Sequence, residues 1–388
     1  MATSSPSASP PEPSFRADPA SLARKLQPPS GPTTEVRPKR RPSPRGELSM
    51  RTQLSRAGKI LLGLAISGVF LYLALREVRL RDVWLTLRQA QFAWFLPALL
   101  VMFASHYLRA YRHRFLLLPI RLFRTWPLLR ALMIGYMANT LLPAHLGEFL
   151  RAYVVGREGK MPASSALATI AVERILDVFT LLLLMILTLL VFPFPAWVRT
   201  SGYLTLATAG LLLLALLWMK RKRAAAAELV RRSFRPVSRK FAEKLAGLAE
   251  NFVEGLTPLR RPSHYALVAA TSVLVWACYA GVIYLLFRAY GLDARYALGL
   301  KATVVTLVIT TIAVVVPSSP GYVGTYHWLC MKSLELFAVP PEVALSYALA
   351  LHALNMLPVA ALGLALAWRE GYSLSRLSQQ PAAETPPA

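Results

Sequence analysis

Cysteine is almost missing from this chain. Only Cys278 and Cys330 occur in 388 residues, and no CxxC or Cys/His ligand spacing accompanies them. A disulfide framework and a zinc site are therefore excluded, and both thiols, set in apolar surroundings, read as small buried hydrophobes. Acidic residues are also scarce: 19 Asp and Glu stand against 44 Lys and Arg, a formal net charge of +25. Charged residues of either sign make up only 16% of the chain while hydrophobic residues make up 55%. With a mean hydropathy of +0.44, that balance describes an integral membrane protein. Basic excess in a soluble protein would point to nucleic acid, but no base-reading module has a signature here. The Lys and Arg residues instead cluster before and between apolar runs, as the positive-inside rule and attraction to anionic headgroups require. No GxSxG, Walker or HExxH pattern is present and no serine near the motifs below has an ordered base beside it, so neither a catalytic residue, a cofactor nor a metal is expected.

What is present is organised as apolar segments. Residues 1–52 are rich in Pro, Ser and Ala and carry the basic run Arg37-Pro38-Lys39-Arg40-Arg41, which predicts a disordered cytoplasmic tail. This is not a cleavable signal peptide, because the first apolar run starts only near Ile60 and is long enough to span. Strong runs follow at about 58–76, 93–108, 164–193, 201–219, 265–288 and 343–368, and two more, about 127–143 and 297–317, end at Pro/Gly breaks. The fold class is thus an all-α polytopic membrane protein with about eight hydrophobic segments. It occupies 53–370, and 371–388 is expected to be a second disordered tail. The interval 220–263 holds Lys220-Arg221-Lys222-Arg223, Arg231-Arg232 and Arg239-Lys240, with Phe241, Leu245, Leu248, Phe252 and Leu256 at three- and four-residue spacing. It predicts a cytoplasmic amphipathic helix lying on anionic lipid.

The breaks carry the functional information. The first reads Leu142-Pro143-Ala144-His145-Leu146-Gly147-Glu148 and the second Pro317-Ser318-Ser319-Pro320-Gly321-Tyr322-Val323-Gly324. In hydrocarbon a broken helix is tolerated only where it lines a protein-enclosed or watery cavity, and matching breaks in two halves of a chain point to a transporter-like binding site. If the first broken segment dips in and returns, both termini and the 220–263 block share the cytoplasmic side. The two broken units are then related by inverted topology. Arg76, Arg79 and Arg81 fall on the outer side in that arrangement.

Ionisable residues crowd the first break. Glu148 and Arg151, three apart, share a face of any helix restarting there and can pair; Glu173, Arg174 and Asp177 follow one segment later. Each charge at a helix centre costs roughly 2.5–3.5 kcal/mol, so these groups must pair, face water or bind a charged ligand. The plain alternative is that the span begins near Ile175 and Glu173-Arg174 is an interfacial pair. Freed N–H groups at a restarting helix attract an anion, and Arg151 or Arg174 can grip a phosphate bidentately. His145 and His327 lie in the two breaks, as proton relays or as polar lining. Asn139 and Ser318 either satisfy carbonyls freed by the kinks or line a substrate path.

Taken together, Asn139-Thr140-Leu141-Leu142-Pro143, Gly147-Glu148 with Arg151, Glu173-Arg174 with Asp177, and Pro317 with Pro320-Gly321-Tyr322-Val323-Gly324 resemble the transmembrane domain of lysylphosphatidylglycerol synthases and their stand-alone flippase-like relatives, over residues of about 55 to 370. The resemblance implies a multi-pass inner-membrane protein that moves an amphipathic lipid between leaflets, with Glu148, Arg151, Glu173, Arg174 and Asp177 at the family's polar positions. Relatives often have Arg where His145 stands and an acidic residue where His327 stands. The full synthases add a soluble aminoacyl-transfer domain, of which these residues give no sign, so the expectation is a non-enzyme. Its ligand is expected to be an anionic or polyprenyl-linked lipid. The other reading is a non-transporting scaffold or accessory subunit bound to a lipid-modifying or glycosyl-transferring enzyme.

Overall fold

The computed structural model describes residues 65–371 except 66, 77, 142–145, 191, 237, 257–258, 260 and 316–319. The tail 1–52, nearly all of 371–388, and the break residues Pro143, His145, Pro317 and Ser318 lie outside that set. Among the described residues there are helices and no strands. They run α1 (67–75), α2 (Leu80–Gln89), α3 (Phe95–Leu117), α4 (Thr125–Leu141), α5 (Leu146–Gly159), α6 (Ala163–Leu189), α7 (Ala196–Arg221), α8 (Arg223–Phe234), α9 (Arg239–Gly255), α10 (Pro262–Ala289), α11 (Leu292–Arg295), α12 (Leu300–Val315), α13 (Thr325–Glu335) and α14 (Pro341–Arg369). Proline opens several of them: Pro162 and Pro195 precede α6 and α7, and Pro262 and Pro341 are first residues of α10 and α14. Its fixed φ suits the first turn, where its missing N–H costs nothing.

Four described helices are long and apolar enough to cross a membrane: the stretch Phe92–Leu117 containing α3, then α7, α10 and α14. The remaining expected segments differ for physical reasons. α6 has 27 residues, ample length, but carries Glu173, Arg174 and Asp177 around its middle. α4 with 17 residues and α5 with 14 reach only about 26 and 21 Å at 1.5 Å per residue, short of a hydrocarbon core of roughly 30 Å. They pack against each other as a hairpin, and α12 and α13, which flank the second break in sequence, form the matching hairpin.

The two halves repeat. α5 packs on α6 as α13 packs on α14, α4 on α14 as α12 on α6, and the amphipathic α2 lies on α14 as α9 lies on α6. The corresponding helices α3 and α10 form an extensive contact and run antiparallel. Gln91, just before α3, donates its backbone N–H to the carbonyl of Ala289 at the end of α10, 2.7 Å away. At the other end of α3, Phe115 meets His264 of the first turn of α10 with ring centroids 5.8 Å apart. A repeat whose equivalent helices oppose each other is an inverted one.

The 220–263 block is a helix pair, α8 and α9, rather than one lipid-bound helix. Leu256 and Phe252 pack with Ala168, Val172 and Ile175 of α6 and with Leu216 and Met219 of α7. Protein therefore covers part of the apolar face that sequence reading assigned to lipid, while Phe241 remains exposed. Ser238 caps α9 by accepting from the Phe241 N–H.

Candidate functional site

From Ser105 onward α3 carries a buried polar stripe. Ser105, His106, Arg109, Arg112 and His113 are all buried, and their three- and four-residue spacing puts them on one helical face. That face meets α6 and α10. Sequence reading ended this span at 108 and so passed over Arg109 and Arg112. The signal lay in the spacing Ser105, Arg109, Arg112, which continues one face past the point where hydropathy falls.

Glycine sets the position of α5. A Cβ on Gly147 would overlap the Gly135 carbonyl of α4, and one on Gly135 would meet the Arg151 Cβ at 2.9 Å. Small residues on both helices thus let the backbones of the hairpin touch. The Gly147 N–H, freed at the start of α5, donates to Asn139 Oδ1 at 2.8 Å, which accounts for Asn139 as a cap across the break. One turn on, Arg151 points into the protein and is buried, whereas Glu148 is about one-third exposed: its side chain retains 30% accessibility.

Three guanidiniums and two carboxylates meet in the interior. Arg151 grips Glu173 in a fork, Nη2 to Oε2 at 2.8 Å and Nη1 to Oε1 at 3.3 Å. Arg109 Nη1 reaches both Glu173 Oε1 at 3.2 Å and Asp177 Oδ2 at 2.9 Å. Arg112 Nη2 binds Asp177 Oδ1 at 2.7 Å, and its Nη1 donates to Ser272 Oγ of α10 at 2.8 Å. The Arg109, Arg112 and Arg151 side chains retain 4, 0 and 2% exposure, Glu173 none and Asp177 11%. His113 closes the inner side. Its Nδ1 accepts from Arg151 Nη2 at 2.8 Å, so Nε2 carries the proton and donates to Thr169 Oγ1 at 2.9 Å.

Arg174 and Glu148 form the outer rim. They pair with each other at 2.9 Å, both about one-third exposed, and Arg174 Nη1 lies 3.6 Å from Asp177 Oδ2. Glu148 therefore finds its partner across the helix interface, not at Arg151 three residues away. Inside the rim the balance is uneven: three guanidiniums face two carboxylates, one positive charge in excess.

The second break comes to this rim. A Cβ on Gly321 would lie 3.7 Å from the Thr140 carbonyl at the end of α4, and Tyr322 is within electrostatic reach of Arg174 and Glu148. Gly321 and Gly324 have φ of 71° and 86°, the left-handed region that favours glycine, and Gly324 lies so close to the Ser67 backbone of α1 that a Cβ would overlap it. His327 faces the α14 side: its Nε2 is 2.9 Å from Nδ1 of His352, which also hydrogen-bonds the backbone of Gly321. Among the described residues, His327 touches no carboxylate or arginine, and no group of three metal-ligating side chains occurs.

A sequence model of the lysylphosphatidylglycerol synthase transmembrane region matches residues 60–363. The glycosyltransferase AglD of Haloferax volcanii is 26% identical over 336 residues, covering 80% of this chain and 54% of that protein. A UPF0104 membrane protein of Methanothermobacter thermautotrophicus is 22% identical over 258 residues, 63% of this chain and 75% of its own length. The chain thus spans about half the length of AglD. No solved structure matches.

Proposed function

The chain belongs to the lysylphosphatidylglycerol synthase transmembrane-region family, and from that premise we propose that it is a lipid flippase of the plasma (inner) membrane, which binds an anionic phosphate of a phospholipid or polyprenyl-linked lipid between its two broken hairpins. The observation that carries this reading is the buried surplus of one guanidinium charge among Arg109, Arg112, Arg151, Glu173 and Asp177. A phosphodiester contributes the missing negative charge, and planar guanidiniums suit its oxygens. Glu173 and Asp177 hold the arginines in place. The partly exposed Glu148 and Arg174 pair is the gate, because a headgroup reaches the interior by exchanging with Glu148 for Arg174.

The hairpins fit such a role: neither α4 nor α5 spans alone, so the gate sits at the tip of an element that enters and returns. In liposomes containing the protein, a fluorescent phospholipid or polyprenyl phosphate should cross faster than in protein-free liposomes. Arg174→Ala should slow it by about tenfold, the loss of one charge-assisted hydrogen bond. Equal rates for variant and wild type would overturn the mechanism.

One observation favours a second reading. The relative AglD is named as a glycosyltransferase, which supports a membrane accessory subunit of a glycosyl-transferring system, with the α8 and α9 pair as its docking element. Gentle purification that yields a stoichiometric enzyme partner and no bound lipid would favour this over transport.

A further inference from the structure

The second repeat holds a cleft lined by helices that correspond to those around the charged cluster. Its volume is about 160 Å³ and its lining includes Tyr279, Thr310, Thr311, Tyr326 and Asn355. These come from α10, α12, α13 and α14, the counterparts of α3, α4, α5 and α6. No side chain in the lining carries a formal charge, in contrast to the first repeat.

The polar groups are disposed to bind a ligand. Thr310 and Thr311 donate their hydroxyl protons to the carbonyls of Thr306 and Leu307 at 2.7 Å each, which leaves their oxygens as acceptors. Asn355 spends its Nδ2 on the Leu351 carbonyl at 2.9 Å, which leaves Oδ1 as an acceptor. Among the described residues the phenols of Tyr279 and Tyr326 make no hydrogen bond and are free to donate. The Tyr326 ring is fixed by stacking on His352, centroids 4.8 Å apart. Tyr279 lies beside Arg109, whose guanidinium is 5.9 Å from its ring, so the cleft begins where the charged cluster ends.

We propose that this cleft is a second binding site, which takes an uncharged, hydroxyl-rich headgroup such as a hexose. Aromatic walls receive the C–H face of a sugar ring, and donors and acceptors in one lining match its hydroxyls, while none of the lining side chains offers a charge to a phosphate. The site stands on its own observations and does not depend on phosphate binding at the charged cluster.

The test uses the full chain in phosphatidylcholine nanodiscs with tritiated hexyl β-glucoside, and empty nanodiscs as background. Saturable binding is expected. Tyr326→Phe, which keeps the stack on His352, and Asn355→Leu should each weaken it by about five- to tenfold, the loss of one hydrogen bond. Hexanol should not displace it. Absence of saturable binding, displacement by hexanol, or an unchanged affinity in Tyr326→Phe would overturn the proposal. Hexyl phosphate binding to the same samples reports on the charged cluster separately, so either site can fail alone.

Discussion

Each guanidinium in the interior of this protein is held by a carboxylate from another helix, and each carboxylate serves at least two guanidiniums. Glu173 touches Arg109, Arg112 and Arg151, and Asp177 touches Arg109, Arg112 and Arg174. Removing one partner from such a set is costly, because the remaining charge stays buried without compensation. Glu173→Gln should therefore destabilise the fold by about 3–5 kcal/mol, measured as loss of thermal stability in detergent. A neutral effect would mean that water or lipid already compensates the arginines. Glu148, Arg151, Glu173, Arg174 and Asp177 were legible as ionisable residues in an apolar context. Their pairing was not, since spacing along one helix offers only partners three or four residues away. Arg109 and Arg112 were missed because the hydropathy run ends before them, although the helix continues to Leu117.

Helices in this chain are placed by backbone contact as much as by apolar side chains. Gly135 and Gly147 close the α4 and α5 hairpin, and Gly255 seats α9 on α6, where a Cβ would lie 2.5 Å from the Ser165 carbonyl. Ser165 reinforces that junction by donating to the Asn251 carbonyl at 2.8 Å. Gly255→Val should lift α9 from α6 at a cost of roughly 1–3 kcal/mol, typical of overpacking. Limited tryptic cleavage within 222–261 should then run about tenfold faster; an unchanged rate would show that α9 does not depend on α6. The long helices were readable from the apolar runs, whereas break residues 142–145 and 316–319 lie outside the described residues. The split of 220–263 into two helices packed on the bundle was not readable, since amphipathic spacing states that a face is apolar without stating what covers it.

At the scale of the whole molecule, antiparallel α3 and α10 and the exchanged contacts of the two hairpins make an inverted repeat with unlike contents, a charged cluster in one half and an uncharged cleft in the other. The proposed orientation takes the first hairpin as re-entrant. Lys160, exposed just beyond α5, then belongs to the cytoplasmic side, with both termini and the basic 220–263 block. A Lys160→Cys variant, read against the unsubstituted protein, should label with a membrane-impermeant maleimide only from that side; labelling from the outer face would overturn the arrangement. Composition and periodicity by themselves determined the class of this protein and its long apolar helices, and they placed several ionisable residues in an apolar context, because apolar length and the cost of a charge in hydrocarbon are properties of local sequence. Only the tertiary structure decided which charges meet, that Arg109 and Arg112 complete the cluster, and that helices of the second repeat line an uncharged cleft with tyrosines and an asparagine. Those outcomes depend on which helix faces lie opposite one another, and that is fixed by close approaches between residues far apart in the chain.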